Sequence, residues 1–430
     1  MKFRLKYTVL YSLIVLSLIS SFFTVKFPDI PTASSIALYF SALFGYSGIV
    51  LLLWSFILGT RSVISIFFND FTKIAKIHSW LGKYGIALFI AHPILISISY
   101  SQSLLSMMWP DFSSEFTNAI NYGKSALWII IIIWISSAVM KTRVSYRPWK
   151  YIHLGAYLSI PFVLLHIPLT GSNYATSLST RIYFFTILIS FMVFLILRLR
   201  GALNLNKIQF LISEQWQEKD EIYVLRLLPT NKLKFNPKPG QYVYIKYGWL
   251  SEDHPFSILD YNNKTGELLI SYKVYGLFTK RLAKLKTGKK LFISGPFGDF
   301  TQDINDHAVV YIAGGIGITP FIQRITNEKN KREQWLFYTN RSHNSAAFLQ
   351  SIQQTMDSRC IAIFSREPQT NIQNCEYGHI DSTTFTKYLD NPQRFIYYIC
   401  GPQTMVSSVI SNLKKLHIPT NNIHSESFNL

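Results

Sequence analysis

Residues 78–92 read HSWLGKYGIALFIAH and residues 153–166 read HLGAYLSIPFVLLH. Each stretch is apolar, each is long enough with its flanks to span a bilayer, and each carries a histidine at both ends. The first 200 residues contain only four histidines, His78, His92, His153 and His166, and all four lie here. A polar side chain inside a bilayer is costly and by default marks a functional site with a partner. The two pairs are 14 and 13 positions apart, a rise of roughly 20 Å along a helix. Two such helices side by side present two levels, each with two imidazoles facing one another.

Bis-histidine ligation of two b-type haems uses this arrangement, with the axial imidazole among the protein's levers on the iron. A single histidine reads as a packing residue; four at matching depth, with none left over, read as metal ligands. The spacing leaves one geometric question. A 14-residue step returns an ideal helix to within about 40° of the same face, whereas a 13-residue step misses by about 140°. Either Pro161 disturbs the helix between His153 and His166, or the two haem planes are rotated relative to one another.

Working outward, apolar blocks near Tyr7–Thr24, Ile36–Gly59, Trp80–Tyr100, Ala126–Met140, Ile152–Leu169 and Ile182–Leu197 predict six spans. The first lacks a small-residue cleavage site and reads as a retained helix. Arg61, Lys73 and Lys76 follow the second block, and Lys141, Arg143, Arg147 and Lys150 follow the fourth. The loop from Ser101 to Gly123 has Asp111 and Glu115 but no Lys or Arg. This asymmetry predicts a multi-pass protein of the cell (inner) membrane, with the N-terminus and the second half cytoplasmic. The net charge of +19 is spread between apolar blocks, which excludes a nucleic-acid-binding stripe. Cys360, Cys375 and Cys400 all lie in the second half, which suits a reducing compartment with no disulfide framework.

From Lys207 to about Pro296, short β-rich runs broken by Pro/Gly turns predict an antiparallel barrel. Beyond it, runs at His307–Ala313, Gln334–Thr339, Cys360–Ser365 and Arg394–Cys400 alternate with helical stretches, the pattern of a parallel α/β sheet. Gly314-Gly315-Ile316-Gly317-Ile318-Thr319-Pro320 follows the first of these, where backbone N–H groups can hold phosphate. His254-Pro255-Phe256-Ser257 sits at the end of a barrel run, Gly295-Pro296-Phe297-Gly298 closes the barrel, and Cys400-Gly401-Pro402 ends a later strand.

With these motifs in this order, the chain resembles the NADPH oxidase and ferric reductase superfamily, most closely its short prokaryotic NADPH oxidase-like members. Its second half is similar to ferredoxin–NADP reductase-type dehydrogenases. The resemblance implies a multi-domain fold: a six-helix transmembrane haem bundle (1–203), an antiparallel β-barrel FAD domain (204–302) and an α/β parallel-sheet NADP-binding domain (303–430). It implies two haem b, FAD and NADPH, with NADH as the alternative nucleotide. His254–Ser257 would bind the flavin, with Phe256 against the isoalloxazine and Ser257 near its reactive edge. Lys273, Gly276 and Thr279 fall in the segment for the FAD pyrophosphate. Gly314, Gly315, Gly317, Thr319, Pro320, Gly401 and Pro402 would hold the nicotinamide nucleotide, with Cys400 nearest the hydride path. Arg341, or Arg366, would meet the 2′-phosphate, and Phe428 would cover the flavin. Arg147, Lys150 and Arg181 are candidates for haem propionates.

The implied activity is electron transfer from cytosolic NADPH through FAD and both haems to an acceptor across the bilayer, with O2 giving superoxide. A ferric or other metal reductase is the alternative, and an electron donor to a periplasmic protein is a third. No regulatory loop is visible, so no obligatory activator subunit is expected. A non-redox proton pathway through the histidines does not fit the flavin and nucleotide motifs.

Overall fold

The computed structural model describes residues 2–68, 71–140, 143, 146–231, 235–248, 251–301, 307–327, 332–369 and 374–428. The chain divides into two compact units, 1–200 and 201–430. The further boundary expected at 302/303 falls outside the described residues.

The first unit is helical: α1 (Lys2–Phe22), α2 (Ala33–Leu58), α3 (Arg61–Phe67), α4 (Phe71–Tyr100), α5 (Leu104–Met108), α6 (Glu115–Ile135), a π-helical turn (Ser136–Met140), α7 (Tyr146–Leu154), α8 (Ala156–Thr170), α9 (Ser172–Thr176) and α10 (Leu178–Ala202). Six segments are long and apolar enough to cross a membrane: Leu5–Phe22, Ala33–Leu58, Lys73–Tyr100, Glu115–Val139, Pro148–Thr170 and Leu178–Ala202. The chain is a multi-pass membrane protein. Leu16, Leu158 and Ile189 stay exposed, as lipid-facing side chains do, while small residues let α2 and α4 approach closely. Gly48 lies against Phe89, and Gly85 against Leu51.

The fourth span begins earlier than the apolar block at Ala126 suggests. Ser114 caps α6 through a reciprocal pair with Thr117, and the polar first turns are helical despite their composition. Much of the expected 101–123 loop is therefore helix. Lys124, just beyond that loop, reaches from α6 to the carbonyls of Ser106 (3.0 Å) and Trp109 (2.5 Å).

The second unit contains a closed barrel of β1 (Ile208–Lys219), β2 (Ile222–Pro229), β3 (Tyr242–Lys246), β4 (His254–Tyr261), β5 (Leu268–Lys273) and β6 (Lys290–Phe297), ordered β1-β2-β5-β4-β3-β6. Every pairing is antiparallel. α11 (Leu277–Leu282) follows β5. Next comes a sheet of β7 (Val309–Gly314), β8 (Gln334–Asn340), β9 (Cys360–Phe364), β10 (Cys375–Tyr377), β11 (Ile396–Pro402) and β12 (Ile423–Phe428). Its order is β10-β9-β8-β7-β11-β12, all parallel. Every residue of β7 is buried, as expected for a central strand covered on both faces. α12 (Thr319–Asn327) leaves the glycine turn after β7.

α12 also joins sheet to barrel. Thr319 Oγ1 meets Ser271 Oγ of β5 at 2.8 Å, both buried, and Gln323 donates to Asp260 of β4 at 3.0 Å. Buried Arg324 donates to the hydroxyl and carbonyl of Thr301, whose own hydroxyl donates to Pro239 O at 2.9 Å.

Candidate functional site

The four membrane imidazoles fall into one pair in ring contact and one of electrostatic neighbours. The rings of His78 and His153 lie 5.9 Å apart, centroid to centroid, at 73°. His92 is an electrostatic neighbour of His166. Each ring is oriented through Nδ1 by a facing helix. His92 Nδ1 lies 2.8 Å from Ser41 O and 2.9 Å from Ser41 Oγ. His78 Nδ1 lies 3.0 Å from Ser55 O. His166 Nδ1 lies 3.3 Å from Ala119 O, with Thr170 Oγ1 at 3.4 Å. His153 Nδ1 meets the Ser137 hydroxyl at 3.0 Å, and its ring stacks on Trp149.

Glycines make room for these rings. A Cβ on Gly45 would stand 3.3 Å from His92 Nδ1, and one on Gly59 would stand 3.7 Å from His78 Cε1. On Gly123 it would stand only 2.8 Å from His166. Ser41 and Ser55 are thus two copies of one device, a helix carbonyl that holds a ring. The copies are 14 positions apart, like the histidines they serve. That repeat is the sequence signal by which these supports were findable.

Between His153 and His166 the helix is interrupted at Gly155. Pro161 lies inside α8. α7 and α8 meet at Gly155, whose N–H bonds back three residues to Ile152 O at 2.9 Å, a tighter turn than the α-helix on either side. Opposite it, Ser136–Met140 of the fourth span is π-helical. Of the propionate candidates, Arg181 instead donates to the carbonyls of Tyr174 and Ala175. Lys150 is half-buried, and the Arg147 side chain, like Lys141, lies outside the described residues.

In the second unit, His254–Ser257 opens strand β4 rather than ending a run. Strand alternation turns Phe256 inward, where it is buried in the barrel core beside Tyr272 and Phe278. Pro255 and Ser257 on either side are the more open positions. His254 stacks on Phe278 at 4.0 Å. Thr279 Oγ1 accepts from Tyr275 N (3.0 Å) and Gly276 N (3.1 Å), so it closes the turn and leaves Gly276 facing open space. Lys273 lies 3.7 Å from Glu221.

The order of the sheet reverses between β7 and β11. Such a switch point, at the carboxyl ends of the strands, is where open α/β sheets bind ligands. β7 ends at Gly314 and β11 at Cys400–Pro402, side by side. Close approach explains the glycines. A Cβ on Gly317 would lie 2.3 Å from Cys400 O, and one on Gly401 would lie 2.8 Å from Met405 Cε. Gly315, at φ +54 and with open space around it, holds the conformation that favours glycine. Thr319 and Pro320 are buried, with the Thr319 hydroxyl turned to the barrel. Burial pushes the Cys400 thiol up, and Glu426 adds to this, so the thiol stays protonated. Glu426 was not singled out by its sequence; β12 sets it opposite Cys400 and sets Phe428 opposite Pro402. Phe428 packs on the sheet core. The exposed Arg341 and Arg366 lie at adjacent strand ends, joined by Arg366 N donating to Arg341 O at 3.0 Å.

Three family profiles match the chain. Residues 44–165 match the ferric reductase like transmembrane component, 217–359 an FAD-binding domain, and 311–410 the oxidoreductase NAD-binding domain. The chain joins a ferric reductase-like membrane component to an FAD- and NAD-binding oxidoreductase. That is the make-up of the ferric reductase and NADPH oxidase superfamily, and the protein is a transmembrane flavin-dependent oxidoreductase.

Among curated proteins, it is similar to a subunit of the Na(+)-translocating NADH-quinone reductase of Haemophilus ducreyi, at 27% identity over 40% of this chain and 48% of that protein. The corresponding protein of Methylococcus capsulatus is 25% identical over 42% of this chain and 52% of that protein. The chain spans about half the length of these curated relatives. Among solved structures, the flavohem-like FAD/NAD binding domain of nitric oxide dioxygenase from Vibrio cholerae is 22% identical. It covers 52% of this chain and 99% of its own, with a TM-score of 0.47.

Proposed function

We propose that this oxidoreductase passes electrons from cytosolic NADPH, ahead of NADH, through FAD and two b-type haems to O2 on the opposite face of the cell membrane, giving superoxide. The observation that carries the reading is the pairing of four membrane imidazoles, each with Nδ1 held by a neighbouring helix. Metal–imidazole bonds of about 2 Å on either side set two ring centres roughly 6 Å apart, and His78 and His153 stand at 5.9 Å. A histidine that gives its Nδ1–H to a carbonyl or hydroxyl presents Nε2 as the ligating nitrogen. The residues therefore fit one haem between His78 and His153, and the neighbouring His92 and His166 are the candidates to hold another.

Bound FAD takes up a hydride and releases electrons singly, which suits haem acceptors. The protein's part is to bind and to orient. Gly314–Gly317 and Gly401–Pro402 form the nucleotide crevice, with Arg341 and Arg366 at neighbouring strand ends for the 2′-phosphate. Ser257 and Cys400 line the hydride path, Lys273 and Gly276 serve the FAD pyrophosphate, and Phe428 covers the flavin. A haem held by His92 and His166 would supply electrons to O2 without offering it a free ligand position. One NADPH and two O2 give NADP+, one proton and two superoxide.

Charge supports the direction. Arg61, Lys73, Lys76, Arg143 and Lys150 gather at the span ends near His78 and His153. Lys26, Lys124 and Arg181, at the other ends, are tied to Asp29 or to carbonyls. Ferric reduction is the second reading, favoured by the family matched over 44–165. NADPH turnover by the purified protein separates the two. Cytochrome c reduction abolished by superoxide dismutase supports the oxidase, whereas equal rates with Fe(III) under anaerobic conditions favour the reductase.

A further inference from the structure

We propose that Ser137 sets the reduction potential of one haem, by holding the Nδ1–H of His153; the inference rests on the bis-histidine reading above. Three of the four imidazoles have a backbone carbonyl at Nδ1: Ser41, Ser55 and Ala119. Hydroxyls also stand at Nδ1 of His92 (Ser41, 2.9 Å) and His166 (Thr170, 3.4 Å), each beside its carbonyl, and at His153 the group that meets Nδ1 is the Ser137 hydroxyl at 3.0 Å. A backbone carbonyl is fixed by its helix, whereas a hydroxyl is an acceptor that substitution removes.

The backbone is built to present this hydroxyl. The fourth span is α-helical to Ile135 and π-helical from Ser136 to Met140, and the Ser136 N–H is shared between Ile132 O and Ile133 O. Such widened turns occur often at functional sites. The facing span breaks at the same level, at Gly155, two residues beyond His153. No π turn lies near His92 or His166 among the described residues. The π turn and the Gly155 break both fall at the His78/His153 level, whereas prolines, Pro93 and Pro168, lie beside His92 and His166.

The consequence is electronic. An imidazole that donates Nδ1–H is a more basic ligand through Nε2, and a more basic ligand favours the ferric state. Without the acceptor at Ser137, the His153 ring becomes a weaker donor and the potential of its haem rises.

Potentiometric titration of the purified full-length protein, followed in the b-type absorption bands, tests this. Ser137→Ala moves one of the two midpoints to a more positive value and leaves the other in place. Ser137→Thr keeps a hydroxyl and returns the midpoint toward wild type. Gly82→Ala, on the same span as His78 but with nothing within 4 Å of its Cβ position, moves neither. Unchanged midpoints in Ser137→Ala overturn the assignment, and so does an equal shift of both, which general loosening of the bundle produces. A wild-type protein without two low-spin b-type components removes the haem reading itself, a distinguishable failure.

Discussion

Gly123 and His166 are in such close contact that no other residue fits at 123: a Cβ there would lie 2.8 Å from both Nδ1 and Cε1 of the imidazole. Real Cβ atoms do not approach a ring so closely, so the ring or the helix must move. Gly123→Ala is expected to displace His166 and reduce haem content from two per chain to one. Gly82 lies on the histidine-bearing α4 with nothing within 4 Å of its Cβ position, and Gly82→Ala should keep both. Pyridine haemochrome quantification of the two variants checks this.

The switch-point crevice depends on Gly317 in a similar way, but against backbone. A methyl at 2.3 Å from Cys400 O forces the ends of β7 and β11 apart, and neither is a side chain that can swing away. Gly317→Ala should raise the KM for NADPH about tenfold or more, the equivalent of about 1.4 kcal/mol, while bound FAD is retained. Steady-state kinetics with flavin quantification distinguishes this from unfolding.

Arg341 and Arg366 offer two guanidinium groups at adjacent strand ends, neither in an ion pair among the described residues. A charge-assisted contact to phosphate contributes about 1.5–3 kcal/mol. Arg341→Ala should therefore weaken NADPH by roughly ten- to a hundredfold and leave NADH nearly unchanged, with Arg366→Ala acting in the same direction. The ratio of kcat/KM for the two nucleotides is the readout.

Buried thiols make the dehydrogenase unit alkali-sensitive. Burial pushes Cys360 up to about 12, with Cys375 adding to it. A raised thiol binds a proton in the folded chain that the unfolded chain has lost. Its stabilisation is therefore in full below the unfolded thiol range near pH 8.5 and declines as pH rises towards 12, by at most about 1.4 kcal/mol per pH unit. Thermal melting between pH 8 and 10.5 should show a falling Tm, with a smaller slope in Cys360→Ala.

Much of this architecture was legible in the sequence, for definable reasons. Long apolar blocks marked six spans because the bilayer tolerates little else, and β/α alternation marked the sheet. What escaped was non-local or local in particular ways. The first turns of α6 are polar and helical through the Ser114–Thr117 cap. The packing of Phe256 on Tyr272 and Phe278 joins residues far apart in the chain and appears only once β4 pairs with β5. Ser41 and His92 are 51 positions apart, so their contact exists only once α2 and α4 pack antiparallel. The break at Gly155 was not singled out, since a glycine within an apolar run carries less signal than Pro161, which lies inside α8.

The central claim is two haems between four histidines, and a reduced-minus-oxidised spectrum of the purified protein tests it most directly. The account predicts low-spin b-type bands corresponding to two haems per chain, falling to one in His166→Ala and likewise in His153→Ala. A wild-type spectrum without those bands, or haem content unchanged in both variants, would contradict it.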